Sequence, residues 1–159
     1  MDLIIRDGVS AALDAIGAKR KNKQVAEAMG LAIVSLTIRA FNDPSVRAAP
    51  WAPLAPATLA EKIRAGKSTA ILKRSTLLFR SWRVIEATGD FVRIGSDRFY
   101  AAFQQFGTGR GVPARPMLPL LGGPTDPQLA PFALTRMVSA AKAALQGFLS
   151  GLGGNPPAQ

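Results

Sequence analysis

The chain has 159 residues, a formal net charge of +10 and a sequence pI near 11.1, and it contains neither cysteine nor histidine. This length and a hydrophobic content of 48% are sufficient for one domain with a core. The missing residue types exclude disulfides, Cys/His metal sites, thiol nucleophiles and imidazole bases. We therefore expect no catalytic, cofactor or metal site, and the positive charge predicts polyanions or acidic proteins as partners.

The N-terminal sequence predicts helices. Its first residues lack the basic segment and the sustained apolar stretch of a secretory signal. No apolar stretch of the sequence is long enough to span a bilayer, so no membrane association is expected. Helical spacing predicts a short helix over residues 7–16 and a longer one over residues 23–41. Gly30 predicts a close packing contact within the longer helix. The apolar face of that helix consists of Val25, Met29, Ile33, Leu36 and Ala40.

Prolines after this helix predict an extended arm over residues 44–58, because proline fixes φ and lacks a backbone donor. A large aromatic side chain in an extended segment requires a pocket, so Trp51 is expected to lie either in its own core or in a neighbouring subunit. Thr58 is expected to cap a short helix over residues 59–65. Residues 70–72 are expected to form a short strand.

The second half of the chain contains the clearest hairpin pattern. Side chains that would face opposite sides of a strand alternate over residues 82–87 and again over residues 91–94. With a turn at residues 88–90, this alternation predicts two antiparallel strands. Ser96 or Asp97 is then expected to cap a helix over residues 98–105. A final helix is predicted over residues 132–149. Its apolar face would consist of Leu134, Met137, Val138, Ala141, Leu145 and Phe148.

These elements predict an α+β fold, in which a small antiparallel sheet built on the central hairpin is flanked by N-terminal and C-terminal helices. Residues 107–131 contain too many glycines and prolines for one regular element and are expected to form a long loop. We expect residues 1–150 to form a single domain and residues 151–159 to be a disordered tail.

A basic stretch runs from Lys62 to Arg83, from the end of the arm into the first strand of the hairpin. It contains seven cationic residues and no carboxylate. Such a stretch is either an ordinary solvated surface or a surface that faces DNA phosphates or an acidic partner without reading base sequence. The cationic residues are Lys62, Arg64, Lys67, Lys73, Arg74, Arg80 and Arg83.

Two further patterns invite a functional interpretation. The glycine-rich run over residues 107–111 resembles a phosphate loop, but it follows a predicted helix instead of opening one, which favours an ordinary turn. A hydrolase based on carboxylates would require acidic residues that are distant in sequence to meet in one cleft. The candidates for such a cluster are Asp43, Glu61, Glu86, Asp90 and Asp97.

Aromatic residues occur along the helical segment before the long loop. Tyr100, Phe103 and Phe106 are close in sequence to three arginines, Arg98, Arg110 and Arg115. These rings would either stack on single-stranded nucleic acid or pack on the sheet. Packing on the sheet is favoured.

Five motifs occur in an order that resembles the phage virion morphogenesis family, the tail completion proteins found in Mu-like phages. The resemblance extends over about residues 40–120. The motifs are Trp51 to Thr58, Ile71 to Ser81, Val92 to Ser96, Tyr100 to Gly107, and Val112 to Pro116.

The resemblance implies a non-enzymatic structural component of the virion of a tailed phage, assembled in the host cytoplasm. It places the protein at the neck or head–tail junction, as a tail completion or tail terminator protein. It also implies a homo-oligomer, expected to be a hexameric ring, with connector or stopper proteins and tail tube proteins as partners and non-specific contact with packaged DNA. The alternative is a basic nucleic-acid-binding protein that does not read sequence.

The candidate subunit contacts come from the arm, the aromatic segment and the loop. Among them, Arg115 stands between two prolines, and we expect its guanidinium to project and to pair with an acidic group of its own fold or of a neighbouring subunit. The full set is Trp51, Pro53, Leu54, Tyr100, Phe106, Gly107, Pro113, Arg115 and Pro116.

Overall fold

The computed structural model of the chain describes residues 2–5 and 23–152. The helix predicted over residues 7–16 lies outside these ranges, as do residues 153–159 of the predicted tail. The described elements form the α+β class that the sequence predicts. They are β1 (Asp2–Ile5), α1 (Lys23–Ala40), a 3-10 turn (Pro44–Val46), α2 (Pro56–Arg64), α3 (Leu77–Arg80), β2 (Trp82–Ala87), β3 (Val92–Ser96), α4 (Ala101–Phe106), β4 (Leu120–Leu121), β5 (Gln128–Leu129) and α5 (Pro131–Leu152).

The central sheet has three antiparallel strands in the order β1–β3–β2. Strands β2 and β3 are the predicted hairpin. Strand β1, which the sequence analysis missed, pairs with the other edge of β3 and places Ile5 opposite Val92. The register of β2 shifts between Val84 and Glu86, so Ile85 is an extra residue that forms a β-bulge.

Helix α1 lies across the sheet. Every residue of its predicted apolar face is buried. Gly30 marks the closest approach, because a Cβ atom placed on it would lie 2.5 Å from Val92 Cγ2 and 3.0 Å from Val84 Cγ2. The close contact predicted at Gly30 is therefore confirmed, and any side chain at this position would push the helix and the sheet apart.

Helix α5 packs beside α1 through small and flexible side chains. It buries Ala133, Met137 and Ala141 completely. The predicted face is wrong at Leu134, which is 38% exposed, because the contact face is centred closer to Ala133. The helix also continues to Leu152, so the tail predicted from residue 151 begins inside a helix.

The segment around α2 differs from its prediction in two places. Helix α2 begins at Pro56 instead of after Thr58, because the fixed φ of proline suits the first turn of a helix. Residues 70–72 form a turn, and the predicted strand is wrong. Leu72 adopts a left-handed conformation with φ of 60°, which interrupts an extended chain.

The helix after the hairpin is shorter than predicted. Helix α4 begins at Ala101, and Ser96 Oγ accepts a hydrogen bond of 3.1 Å from the backbone N–H of Arg98 in the turn before it, so neither predicted cap lies at the start of the helix. The loop over residues 107–131 is irregular, as predicted, apart from the small β4–β5 pair. This loop returns the chain to the arm, where the candidate site lies.

Candidate functional site

The Pro-rich arm lies against the loop that follows α4, and side-chain hydrogen bonds to the backbone join the two segments. Trp51 is 7% exposed, and its Nε1–H donates to the carbonyl oxygen of Pro116 at 2.7 Å. Arg115 reaches in the opposite direction and donates from Nε to the carbonyl oxygen of Ala52 at 2.9 Å and from Nη2 to that of Pro53 at 3.0 Å. We call the five residues of these hydrogen bonds the arm clamp: Trp51, Ala52, Pro53, Arg115 and Pro116. The clamp makes the arm a fixed part of the fold.

Trp51 occupies a pocket in the core of its own chain. Its ring meets the edge of Phe41 with ring centroids 5.7 Å apart. The guanidinium carbon of Arg47 lies 3.9 Å from the ring centroid, close enough for a cation–π contact. Of the two pockets that the sequence left open for Trp51, the structure therefore shows the intramolecular one.

Arg115 does not project as expected. Only 7% of it is exposed, and among the described residues it binds backbone carbonyls instead of a carboxylate. The physical reason is the proline content of the arm, since an extended chain rich in proline leaves its carbonyl oxygens without partners. Burial lowers the pKa of Arg115 below its ordinary value, yet an arginine remains protonated in a protein.

Gln105 ties α4 to the same loop. Its Oε1 accepts hydrogen bonds from the backbone N–H groups of Met117 at 2.8 Å and Leu118 at 2.9 Å. Sequence reasoning missed this residue, because a glutamine near the end of a short helix carries no pattern that distinguishes it from a solvated one. Its burial, at 2% exposed, is what identifies it.

Beside the arm clamp, the surface of the chain forms a half-open cavity of about 330 Å³. Three cationic side chains line it, Lys62, Arg74 and Arg115, so we call it the cation pocket. The remaining lining residues supply an apolar wall and a few polar groups. They are Leu54, Thr58, Leu72, Ser75, Leu78, Tyr100 and Gln104.

Lys62 is the most deeply placed cation of the pocket, at 3% exposed. Its Nζ donates to the carbonyl oxygen of Ala70 at 2.7 Å. Burial lowers the pKa of Lys62 from its ordinary value of 10.5, the positive charges of Arg74 and Arg115 lower it further, and Glu61 raises it. The pocket therefore holds more positive charge than its own residues neutralise.

Arg74 forms the outer edge of the pocket. It makes a two-point contact with Glu61, from Nη1 to Oε2 at 2.7 Å and from Nη2 to Oε1 at 2.9 Å. The guanidinium is still 63% exposed, so it remains accessible to a second anion.

The predicted basic stretch is thus divided between two environments. Lys62 and Arg74 line the cation pocket. Lys73 Nζ donates to Asn42 Oδ1 and lies 5.9 Å from the ring centroid of Phe79. The remaining four cations are exposed on the surface, and they are Arg64, Lys67, Arg80 and Arg83.

The aromatic segment presents different rings from the ones selected as contacts. Tyr100 and Phe106 are half-buried, whereas Phe99 is 81% exposed and Phe103 is 50% exposed. Phe99 contacts Tyr100 edge to face with ring centroids 5.4 Å apart. Sequence reasoning did not select Phe99, because its exposure follows from where α4 begins.

The other predicted contacts lie along the same arm and loop. Pro53 and Pro113 are exposed, while Leu54, Gly107 and Pro116 are half-buried. Gly107 ends α4 with φ of 73°, and a Cβ atom there would lie 2.8 Å from the carbonyl oxygen of Val112. The glycine-rich run is therefore a turn after a helix, as predicted.

The candidate acidic residues are dispersed. The described residues contain no group of three or more carboxylates that could hold a metal ion. Four of the five candidates are each paired with arginine, at distances between 2.7 and 3.5 Å. Within the same residues, no helix is both long enough and apolar enough to cross a bilayer.

The described residues form a small basic α+β protein with an arm fixed to its own loop and a pocket lined by three cationic side chains. The chain matches the model of the phage virion morphogenesis family over residues 5–128, which is more than three quarters of its length. It belongs to this family, as the order of motifs predicts, and is a protein of phage virion assembly. Neither the curated proteins nor the solved structures give a match.

Proposed function

We propose that the protein is a structural subunit, and not an enzyme, that completes the head–tail junction of a tailed phage. The family match over residues 5–128 is the observation that carries this proposal. In this role the protein acts in the neck or as a tail terminator, where it joins the tail to the DNA-filled head and contacts connector or stopper proteins and tail tube proteins.

We further propose that the subunits form a hexameric ring. A ring requires head-to-tail contacts, in which two different patches of each subunit meet. Two separate exposed apolar pairs are suited to this purpose: Phe99 with Phe103, at the start of α4, and Leu59 with Ile63, on α2. Ile63 is 62% exposed, so both patches offer substantial apolar surface.

Phage particles made without the protein test its place in assembly. A nonsense mutation in the gene is expected to give filled heads and complete tails that remain separate in electron micrographs, and the wild-type protein supplied in trans is expected to join them. A Phe99→Ser/Phe103→Ser variant should fail to join them. Leu31→Ser is the matched control, because Leu31 is 55% exposed on α1 and lies outside both patches. Joined, infectious particles without the protein would contradict the proposal.

Contact with DNA is the second candidate function. The four cations of the basic stretch that are exposed outside the cation pocket favour it, since phosphates are met by accessible cations. Titration of duplex DNA into the purified protein at low and moderate salt tests it, and affinity is expected to fall steeply as salt rises. Binding that does not change with salt, or no binding, would reject this function.

A further inference from the structure

The cation pocket contains a buried ammonium group whose charge is not neutralised by a direct partner. Among the described residues Lys62 forms no ion pair, and its one side-chain hydrogen bond goes to the neutral carbonyl of Ala70. An ammonium group has three donors, and a buried charge without a counter-charge is costly. An anion that entered the pocket would meet this group, with Arg74 at the edge and Arg115 in the wall.

We propose that the cation pocket binds a carboxylate side chain of an acidic protein partner, with a neighbouring apolar side chain of that partner against Leu54, Leu72 and Leu78. This inference concerns a site and the chemistry of its ligand, and it does not depend on the ring or on the head–tail position proposed above. The volume of about 330 Å³ accommodates a side chain, and it lies near the lower limit of small-ligand pockets at about 300 Å³.

The depth of the pocket favours a side chain over a nucleic acid. Lys62 is 3% exposed and Arg115 is 7% exposed, so the phosphates of a duplex, which are fixed on a wide and rigid surface, do not reach them. The apolar wall adds a second reason, because a phosphodiester offers nothing that buries against leucine side chains. The exposed cations elsewhere in the basic stretch are the ones suited to DNA.

The charge balance favours a partner of different sequence over a second copy of this chain. The chain has twenty lysines and arginines and only ten carboxylates. Four of these carboxylates already pair with arginines of the same chain: Asp43, Glu61, Glu86 and Asp97. A second copy therefore offers few carboxylates, whereas an acidic protein offers many.

Small probes test the ligand chemistry on the intact protein. The carboxylate probe is 3-phenylpropionate, the neutral control is 3-phenylpropionamide, and phenyl phosphate represents a phosphate, all at equal ionic strength. Binding is followed by NMR of the lysine and arginine side chains. The carboxylate is expected to perturb Lys62, Arg74 and Arg115 together and to raise the pKa of Lys62, because an opposite charge favours the protonated form. The amide is expected to have no effect, and phenyl phosphate to bind less tightly.

Variants locate the binding. Lys62→Met retains the length of the side chain and removes the charge, and Arg74→Gln removes the exposed cation. Each is expected to weaken binding of 3-phenylpropionate by about tenfold, the loss of one charge-assisted hydrogen bond. Lys142→Gln, on the exposed side of α5, is the matched control and should bind like the wild type.

Several results would overturn the proposal. The amide would bind as tightly as 3-phenylpropionate, or phenyl phosphate would bind more tightly. In the wild-type protein, 3-phenylpropionate would leave the NMR signals of Lys62 unchanged. Self-association of the wild type would be lost in Lys62→Met. The last result would identify a second copy of the chain as the occupant. The wild-type NMR measurement decides the matter even if Lys62→Met does not fold.

Discussion

Two regions of this molecule are held together by different kinds of contact. In the helix–sheet region, α1 meets the sheet and α5 through apolar side chains, and Gly30 allows the closest approach. In the arm–loop region, which comprises residues 47–58 and 100–119, Trp51, Arg115 and Gln105 bond to backbone atoms of segments up to 65 residues away. The first region should therefore be sensitive to added volume, and the second to the loss of single hydrogen-bond donors.

The largest expected effect is that of Arg115→Met in the arm clamp. The substitution removes two charge-assisted hydrogen bonds and leaves the carbonyl groups of Ala52 and Pro53 without their donor. We expect the free energy of unfolding to fall by about 3 kcal/mol, measured by urea denaturation. Arg110→Met, at an exposed position of the same loop, is the control and should change it by less than about 0.5 kcal/mol. Equal effects of the two substitutions would show that the clamp contributes nothing.

The helix–sheet region is tested by adding one methyl group. Gly30→Ala places a Cβ atom 2.5 Å from Val92 Cγ2, and Val92 is a stiff, fully buried side chain. We expect a loss of about 2 kcal/mol in the free energy of unfolding, although alanine favours a helix over glycine by about 1 kcal/mol.

Gly147→Ala is the matched comparison for Gly30→Ala. Gly147 also lies within a helix, but its Cβ atom would meet nothing within 4 Å. The same substitution should therefore stabilise the protein by up to about 1 kcal/mol. The two changes must have opposite signs; a stabilising Gly30→Ala would mean that the helix does not rest on the sheet as described.

The third prediction isolates a single hydrogen bond of the arm clamp. Trp51→Phe keeps an aromatic ring against Phe41 and Arg47 but loses the donor to Pro116. Trp82→Phe is the control, because Trp82 is also buried and its Nε1 has no partner among the described residues. Both substitutions reduce the ring by the same volume. We expect Trp51→Phe to lower the free energy of unfolding by about 1 kcal/mol more than Trp82→Phe, measured by thermal or urea unfolding. Equal losses would show that the hydrogen bond to Pro116 does not stabilise the fold.

The same contrast explains what the sequence predicts and what it does not. The buried face of α1 and the β2–β3 hairpin follow from local periodicity. Residues on one face of a strand recur every two positions, and residues on one face of a helix recur every three to four positions. The arm clamp depends on contacts between residues more than 60 positions apart, and no local pattern pairs Arg115 with Ala52. For the same reason Lys62 resembles any surface lysine in sequence, and only the fold shows that it is buried.

The smallest expected effect concerns the pH dependence that Lys62 confers. Its pKa is lowered from 10.5 chiefly by burial and then by the charge of Arg74, and Arg115 also lowers it while Glu61 raises it. The unfolded chain restores the ordinary pKa, so between the two values the unfolded state binds more protons than the folded state. The free energy of unfolding therefore rises with pH in the window that ends near 10.5, and the cost is fully present below the folded pKa.

Comparison of the wild type with Lys62→Met measures this contribution. From neutral pH towards 10.5, the free energy of unfolding of the chain that retains Lys62 should rise relative to that of Lys62→Met. The corresponding difference for Lys142→Met, at an exposed position, should stay constant. A constant difference for Lys62 as well would mean that its ammonium group is as well solvated in the fold as in the unfolded chain, and the pocket would then lack the uncompensated charge on which its proposed ligand depends.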